Sequence, residues 1–194
     1  MRTDRFERLS PPSPQAGARL PPILVGVSAC LLGEPVRYDG TDQRDAYVCG
    51  ALARQFRLVP ICPEVELGLG VPRRPIRLVR TERGVRVRDA RDPDNPKLDF
   101  TEQFRVLAEE LAPLLGRLSG YVFKSGSPSC GVRDVKLYEQ DGRCRPVATG
   151  RFARLVMALY PRLPVVDEQQ LADPEQRRRF MRLVGALGGS GSGH

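Results

Sequence analysis

Apolar residues fall along this chain in short bursts, and the bursts alternate between two spacings. Ile23-Leu-Val-Gly-Val27 is an almost unbroken apolar run, as a strand buried on both faces requires. Leu58-Val-Pro-Ile61, Tyr121-Val-Phe123 and residues 163–166 read the same way, although Pro60 weakens the second. Elsewhere the period lengthens to that of a helix. Phe104, Leu107, Ala108, Leu111, Leu115 and Leu118 predict a helix from Thr101 onward, kinked at Pro113. Further helices are predicted from Asp42, as a cap, to about Phe56, over residues 152–160, and from Asp173-Pro174 through Phe180, Leu183, Val184 and Leu187. Residues 76–79 and 85–87 flank Glu82-Arg-Gly84 as a hairpin, and residues 135–149 form a second around Asp141-Gly142. Repeated β then α segments predict an α/β fold: a mostly parallel open sheet with helices on both faces and small β-hairpin insertions.

Length and composition place these elements in one domain. The 194 residues divide into a Pro-rich flexible leader over 1–21, an α/β domain over 22–187, and a Gly/Ser tail over 188–194. The longest apolar stretch, from Ile23 to Gly33, is about half of what a membrane span needs, and no secretory signal pattern is visible. A cytoplasmic protein without a membrane partner is expected. The single histidine, His194, ends the tail, so an imidazole base or ligand has no residue to carry it inside the domain. Thirty-one Lys and Arg against 23 Asp and Glu give a net charge of +8. Such a balance favours anionic partners, nucleic acid above all, although the Arg, Ala, Gly and Pro richness also fits a uniform codon bias.

Five cysteines, at 30, 49, 62, 130 and 144, are odd in number, widely spaced and without a Cys-x-x-Cys pair. That pattern argues against a disulfide framework or a zinc ribbon and for free, metal-binding or catalytic thiols. Three of them follow predicted strands: Cys30 after the first, Cys62 after the second, and Cys130 after Tyr121-Val-Phe123. In an open parallel sheet the loops at the carboxyl ends of strands share one edge, where ligands bind. Cys30, Cys62 and Cys130 can therefore converge, each in a loop dense in Pro, Gly or Ser. One cysteine after a strand is most often a small buried residue; three in equivalent positions point to a soft metal site, iron–sulfur or zinc. With Glu64 and several hydroxyls nearby, such a site reads as one with an open coordination position. Cys49, inside a predicted helix, and Cys144, in a hairpin, read as structural or incidental.

At these loops the sequence resembles the thiouracil desulfidase family. The matching stretches are Val27-Ser-Ala-Cys-Leu-Leu-Gly33 with Val36-Arg-Tyr-Asp-Gly40, Cys62-Pro-Glu-Val65 with Gly68-Leu69 and Pro72-Arg73, and Lys124 with Ser127-Pro-Ser-Cys-Gly131. The resemblance spans roughly residues 22 to 170. It implies a [4Fe–4S] cluster held by Cys30, Cys62 and Cys130 alone, its fourth iron left open to the sulfur of a thiolated pyrimidine base or nucleoside. It also implies a catalytic carboxylate at Glu64 and a catalytic hydroxyl at Ser127, with Ser125 and Ser129 as neighbouring alternatives. Glu66-Leu-Gly-Leu-Gly70 and Ile76-Arg-Leu-Val79 look most like longer members, which add a helical domain and act on 4-thiouridine in tRNA. Such an enzyme would replace C=S by C=O with water and without net redox change. Two rival readings are a nucleic-acid-binding module braced by a cluster or by zinc, and a redox sensor; thiopyrimidine turnover separates both from an enzyme. Oligomeric state is not legible in the sequence.

Overall fold

The structure is a computed structural model that describes residues 22–139 and 141–189. The predicted leader and the end of the predicted tail, with His194, lie outside the described residues.

Four strands form an all-parallel sheet: β1 (Leu24–Ser28), β2 (Arg57–Ile61), β5 (Gly120–Phe123) and β8 (Val165–Asp167), in the order β2-β1-β5-β8. Their apolar runs are continuous because both faces are covered. Val59, Ile61, Tyr121 and Phe123 pack on one side with Phe104, Leu107 and Phe152. Val25, Val27 and Val122 face the other side, against Leu31, Val48, Leu52, Phe180 and Val184. The helices are α1 (Pro63–Glu66), α2 (Thr101–Glu110), α3 (Ala112–Leu115), α4 (Arg151–Leu159), α5 (Glu168–Ala172) and α6 (Pro174–Gly189). The predicted break near Pro113 falls between α2 and α3. The last helix runs through Gly189, so the first two glycines of the expected tail are helical.

Both expected hairpins form, and they join edge to edge. β3 (Ile76–Thr81) pairs with β4 (Gly84–Asp89), and β6 (Val135–Tyr138) with β7 (Cys144–Ala148); β3 and β6 then pair in parallel to make a second four-stranded sheet. Its inward residues Leu78, Val87, Val135 and Leu137 complete the core over the Tyr121–Phe123 face of the first sheet. Pairing between segments so far apart in the chain leaves no local signature.

The helix expected over residues 42–56 shrinks to about two turns at 46–52, the last of them π-helical over Val48–Leu52. Gln43 donates its backbone N–H to the Cys30 carbonyl and Asp45 donates to Leu31, which holds the preceding residues against the loop after β1. The cap is therefore Asp45, whose carboxylate accepts the Val48 N–H at 2.8 Å, and not Asp42.

Candidate functional site

The register of the parallel sheet aligns its carboxyl ends. Ser28 pairs with Ile61, Val27 with Val122, and Phe123 with Asp167. The strand order reverses between β1 and β5, the crevice in which such sheets bind ligands. Cys30 sits in a 3₁₀ turn directly after β1, closed by Gly33, whose φ of 88° suits a residue without a Cβ. Cys62 directly follows β2 and caps α1, with Pro63 at the first helical position. Cys130 lies in the loop between β5 and β6, a loop tied to β1 by the Lys124 N–H, which donates to Ser28 Oγ at 2.9 Å. All three cysteines line one cavity of about 390 Å³, together with Glu64, Arg73 and Lys124. Cys49 instead donates its thiol to the Leu31 carbonyl, and Cys144 is exposed on β7.

The three thiols are free, and burial raises the pKa of each. Cys30 is pushed up to about 11 by burial and by Cys62, with Lys124 and Arg37 opposing. Cys130 is raised further, by burial first, while a hydrogen bond with Ser28 works against the shift. Three thiolates in this cavity would repel one another, so they require a cationic group to bind. Among the described residues no three His, Cys, Asp or Glu side chains are placed to share a metal ion. A polynuclear cluster would not require the three thiolates to meet on one ion, and Cys30, Cys62 and Cys130 would hold it from the lining of the same cavity. Three soft donors facing a cavity of this size fit such a group.

Beside the thiols lies a connected polar chain. Glu64, the second residue of α1, is buried, and its Oε2 accepts the Arg73 Nε–H at 2.8 Å in an ion pair that is itself almost fully enclosed. Glu64 Oε1 accepts the Ser129 hydroxyl at 2.6 Å, and Ser129 Oγ lies 2.9 Å from Ser127 Oγ. Ser127 Oγ also accepts the backbone N–H of Cys130 at 3.1 Å and of Ser129 at 3.3 Å. Glu64 and Ser127 thus share one site, joined through Ser129. Ser125 belongs to a different group. Its N–H and hydroxyl both donate to Glu168, the first residue of α5, which also pairs with Lys124 Nζ at 2.6 Å.

Arg73, the linking role of Ser129, and Glu168 were not assigned from the sequence. Glu168 was within reach of the rule that located the cysteines, because it is the first residue after the fourth parallel strand. The Arg73–Glu64 pair carries no periodic signal.

A family model described as 2-thiouracil desulfurase matches residues 25–168, which include every residue of this site. Among curated protein sequences none matches the chain significantly. The solved structure of a [4Fe-4S]-dependent thiouracil desulfidase, TudS, is 32% identical and superposes with a TM-score of 0.62, over 82% of this chain and 99% of that one. With most of its length matched in both comparisons, and with its cysteines, carboxylate and serines gathered at one sheet edge inside the matched region, the chain belongs to the 2-thiouracil desulfurase family.

Proposed function

We propose that this chain is a [4Fe–4S]-dependent desulfidase that converts the C=S group of a thiolated pyrimidine to C=O, consuming water and releasing sulfide. The observation that carries this reading is the convergence of Cys30, Cys62 and Cys130 on the cavity that also holds Glu64 and its serines. Those cysteines would hold the cluster. When bound, it supplies a thiophilic Lewis acid that polarises the exocyclic sulfur. Glu64 then serves as the acid–base group, taking a proton from the attacking water and returning one to the ring nitrogen or the departing sulfur. Ser127 orients the water or the ring, and Arg73 holds the carboxylate in place through its ion pair. Over the whole reaction C=S and H₂O become C=O and H₂S, so no electron donor is consumed.

Membership of the family favours thiouracil as the substrate class. A finer reading is 4-thiouridine, free or within tRNA. It draws on the +8 charge and on the Glu66–Gly70 and Ile76–Val79 stretches noted in the sequence.

The test is anaerobic reconstitution followed by iron and sulfide analysis, the visible band near ~400 nm, and turnover of 2-thiouracil to uracil. Singly, Cys30→Ala, Cys62→Ala and Cys130→Ala should abolish cluster binding, whereas Cys49→Ala and Cys144→Ala should leave it intact. A fully loaded protein that leaves every thiopyrimidine unchanged would remove the proposal, and full loading of Cys62→Ala would remove the ligand assignment.

A further inference from the structure

We infer that Ser129 is a positioning residue that fixes the direction of a hydroxyl chain running from Ser127 to Glu64. The direction follows from counting donors. Glu64, paired with Arg73, offers only acceptors to Ser129, so the Ser129 proton goes to Oε1 at 2.6 Å. Ser129 Oγ is then the acceptor for Ser127, 2.9 Å away. Ser127 has no other orientation that fills this contact, because its lone pairs already receive the N–H groups of Cys130 and Ser129. Ser129 is 1% exposed and exchanges neither contact for water.

This arrangement gives each residue a task within the proposed desulfidation, on which the inference rests. Ser127 is the half-buried end of the chain and Glu64 the deeper one. When water in the cavity displaces the longer of the two N–H contacts on Ser127 Oγ, that from Ser129 at 3.3 Å, and gives it a proton, the Ser127 proton passes to Ser129 and the Ser129 proton to Glu64 Oε1. Three O–H bonds break and three form. The water oxygen is left as hydroxide for the pyrimidine carbon, and Glu64 is left as a neutral acid. The reverse passage returns the proton when sulfur departs.

Glu64→Gln cuts the chain at its deep end. Its amide oxygen must face the Arg73 donor, so its NH₂ faces Ser129, whose Oγ then receives both that group and Ser127 and whose own proton loses its acceptor.

The experiment uses cluster-loaded enzyme and 2-thiouracil. Ser129→Ala should keep its iron and sulfide content and a KM within about twofold of wild type, while kcat falls about a hundredfold. The double variant Ser127→Ala/Ser129→Ala should be no slower than the slower single one, because both break the same chain. A Ser129→Ala kcat within about twofold of wild type, or losses that multiply, overturns the inference. If Ser129→Ala fails to load its cluster, Ser127→Ala combined with Glu64→Gln decides, again by whether the losses multiply. Independently of turnover, loss of the Ser129 donor should shift the Glu64 carboxylate stretch in isotope-edited infrared spectra, and an unshifted band overturns the contact. A wild-type enzyme inert toward thiopyrimidines would instead defeat the functional proposal while leaving the infrared test to decide the chain.

Discussion

At Glu64 both carboxylate oxygens are engaged, one by the Arg73 guanidinium at 2.8 Å and the other by Ser129 at 2.6 Å. A buried carboxylate held this way is costly to leave unpaired, by about 3–5 kcal/mol if its cation is removed. The family motif marks Glu64 in the sequence, but its partners lie nine and 65 residues away, so nothing local announces them. Glu64→Gln keeps the size of the side chain but removes the charge paired with Arg73, the acceptor of the Ser129 proton and the capacity for proton transfer. The variant should load a normal cluster, seen in its visible spectrum, while kcat for thiouracil falls by about two to four orders of magnitude. Turnover near wild type would make Glu64 a bystander, and loss of the cluster would make it a ligand or a structural support.

At the scale of elements, α4 is docked by its amino end onto the Cys130 loop. The N–H groups of Arg151 and Phe152, which have no partner inside the helix, donate to the Pro128 and Ser129 carbonyls, and Gly150 donates to Gly131. The approach is close enough that a Cβ on Gly150 would fall 2.7 Å from the Ser129 carbonyl carbon and oxygen. Gly150→Ala should therefore displace that loop, costing about 1–3 kcal/mol and lowering iron occupancy; a wild-type melting temperature together with a wild-type iron content would refute it. On the opposite flank Glu168 clamps the same loop. Burial alone would raise its pKa, but the hydrogen bonds from Lys124 and Ser125 outweigh that and hold it below its ordinary 4.5. A depressed carboxyl stabilises the fold above its unfolded value, and that contribution is lost as pH falls through the folded one. Metal-free Glu168→Gln should accordingly be less stable than wild type at neutral pH, with the gap closing below about pH 4.5. A gap in melting temperature that stays constant from pH 7 to pH 3 would exclude the clamp.

Over the whole molecule, the sequence carries an excess of eight positive charges, and no helix among the described residues is long and apolar enough to cross a membrane. If the thiopyrimidine is presented within RNA, these charges neutralise phosphates and release counterions. Affinity for a 4-thiouridine-containing tRNA should then fall with salt by about 0.7 to 0.9 log units per contacted phosphate for each log unit of salt. Fluorescence anisotropy over a salt series measures this slope. Undetectable or salt-independent binding would assign the cavity to a free base or nucleoside.

Periodicity alone was enough to place most of the elements. Runs such as Leu24 to Val27 and Tyr121 to Phe123 are apolar at every position because both sheet faces are covered, and α2 shows its buried stripe at helical spacing. The location of the three cysteines was legible too, because the carboxyl ends of parallel strands share an edge whatever the side chains. Tertiary structure decided the rest. The parallel pairing of Leu78 with Leu137 turned two local hairpins into one sheet, and the loop after β1 drew residues 43–45 out of the expected helix. The separation of Ser125 from Ser127 and Ser129 was likewise decided there. These three hydroxyls stand two residues apart in one small-residue loop and look alike in the sequence. Their roles diverge because Glu168 reaches the first from the start of α5 while Glu64, held by Arg73, reaches the last from α1. Hydrogen-bond partners are chosen by what folding brings within about 3 Å, and for these residues that choice is made from distant parts of the chain.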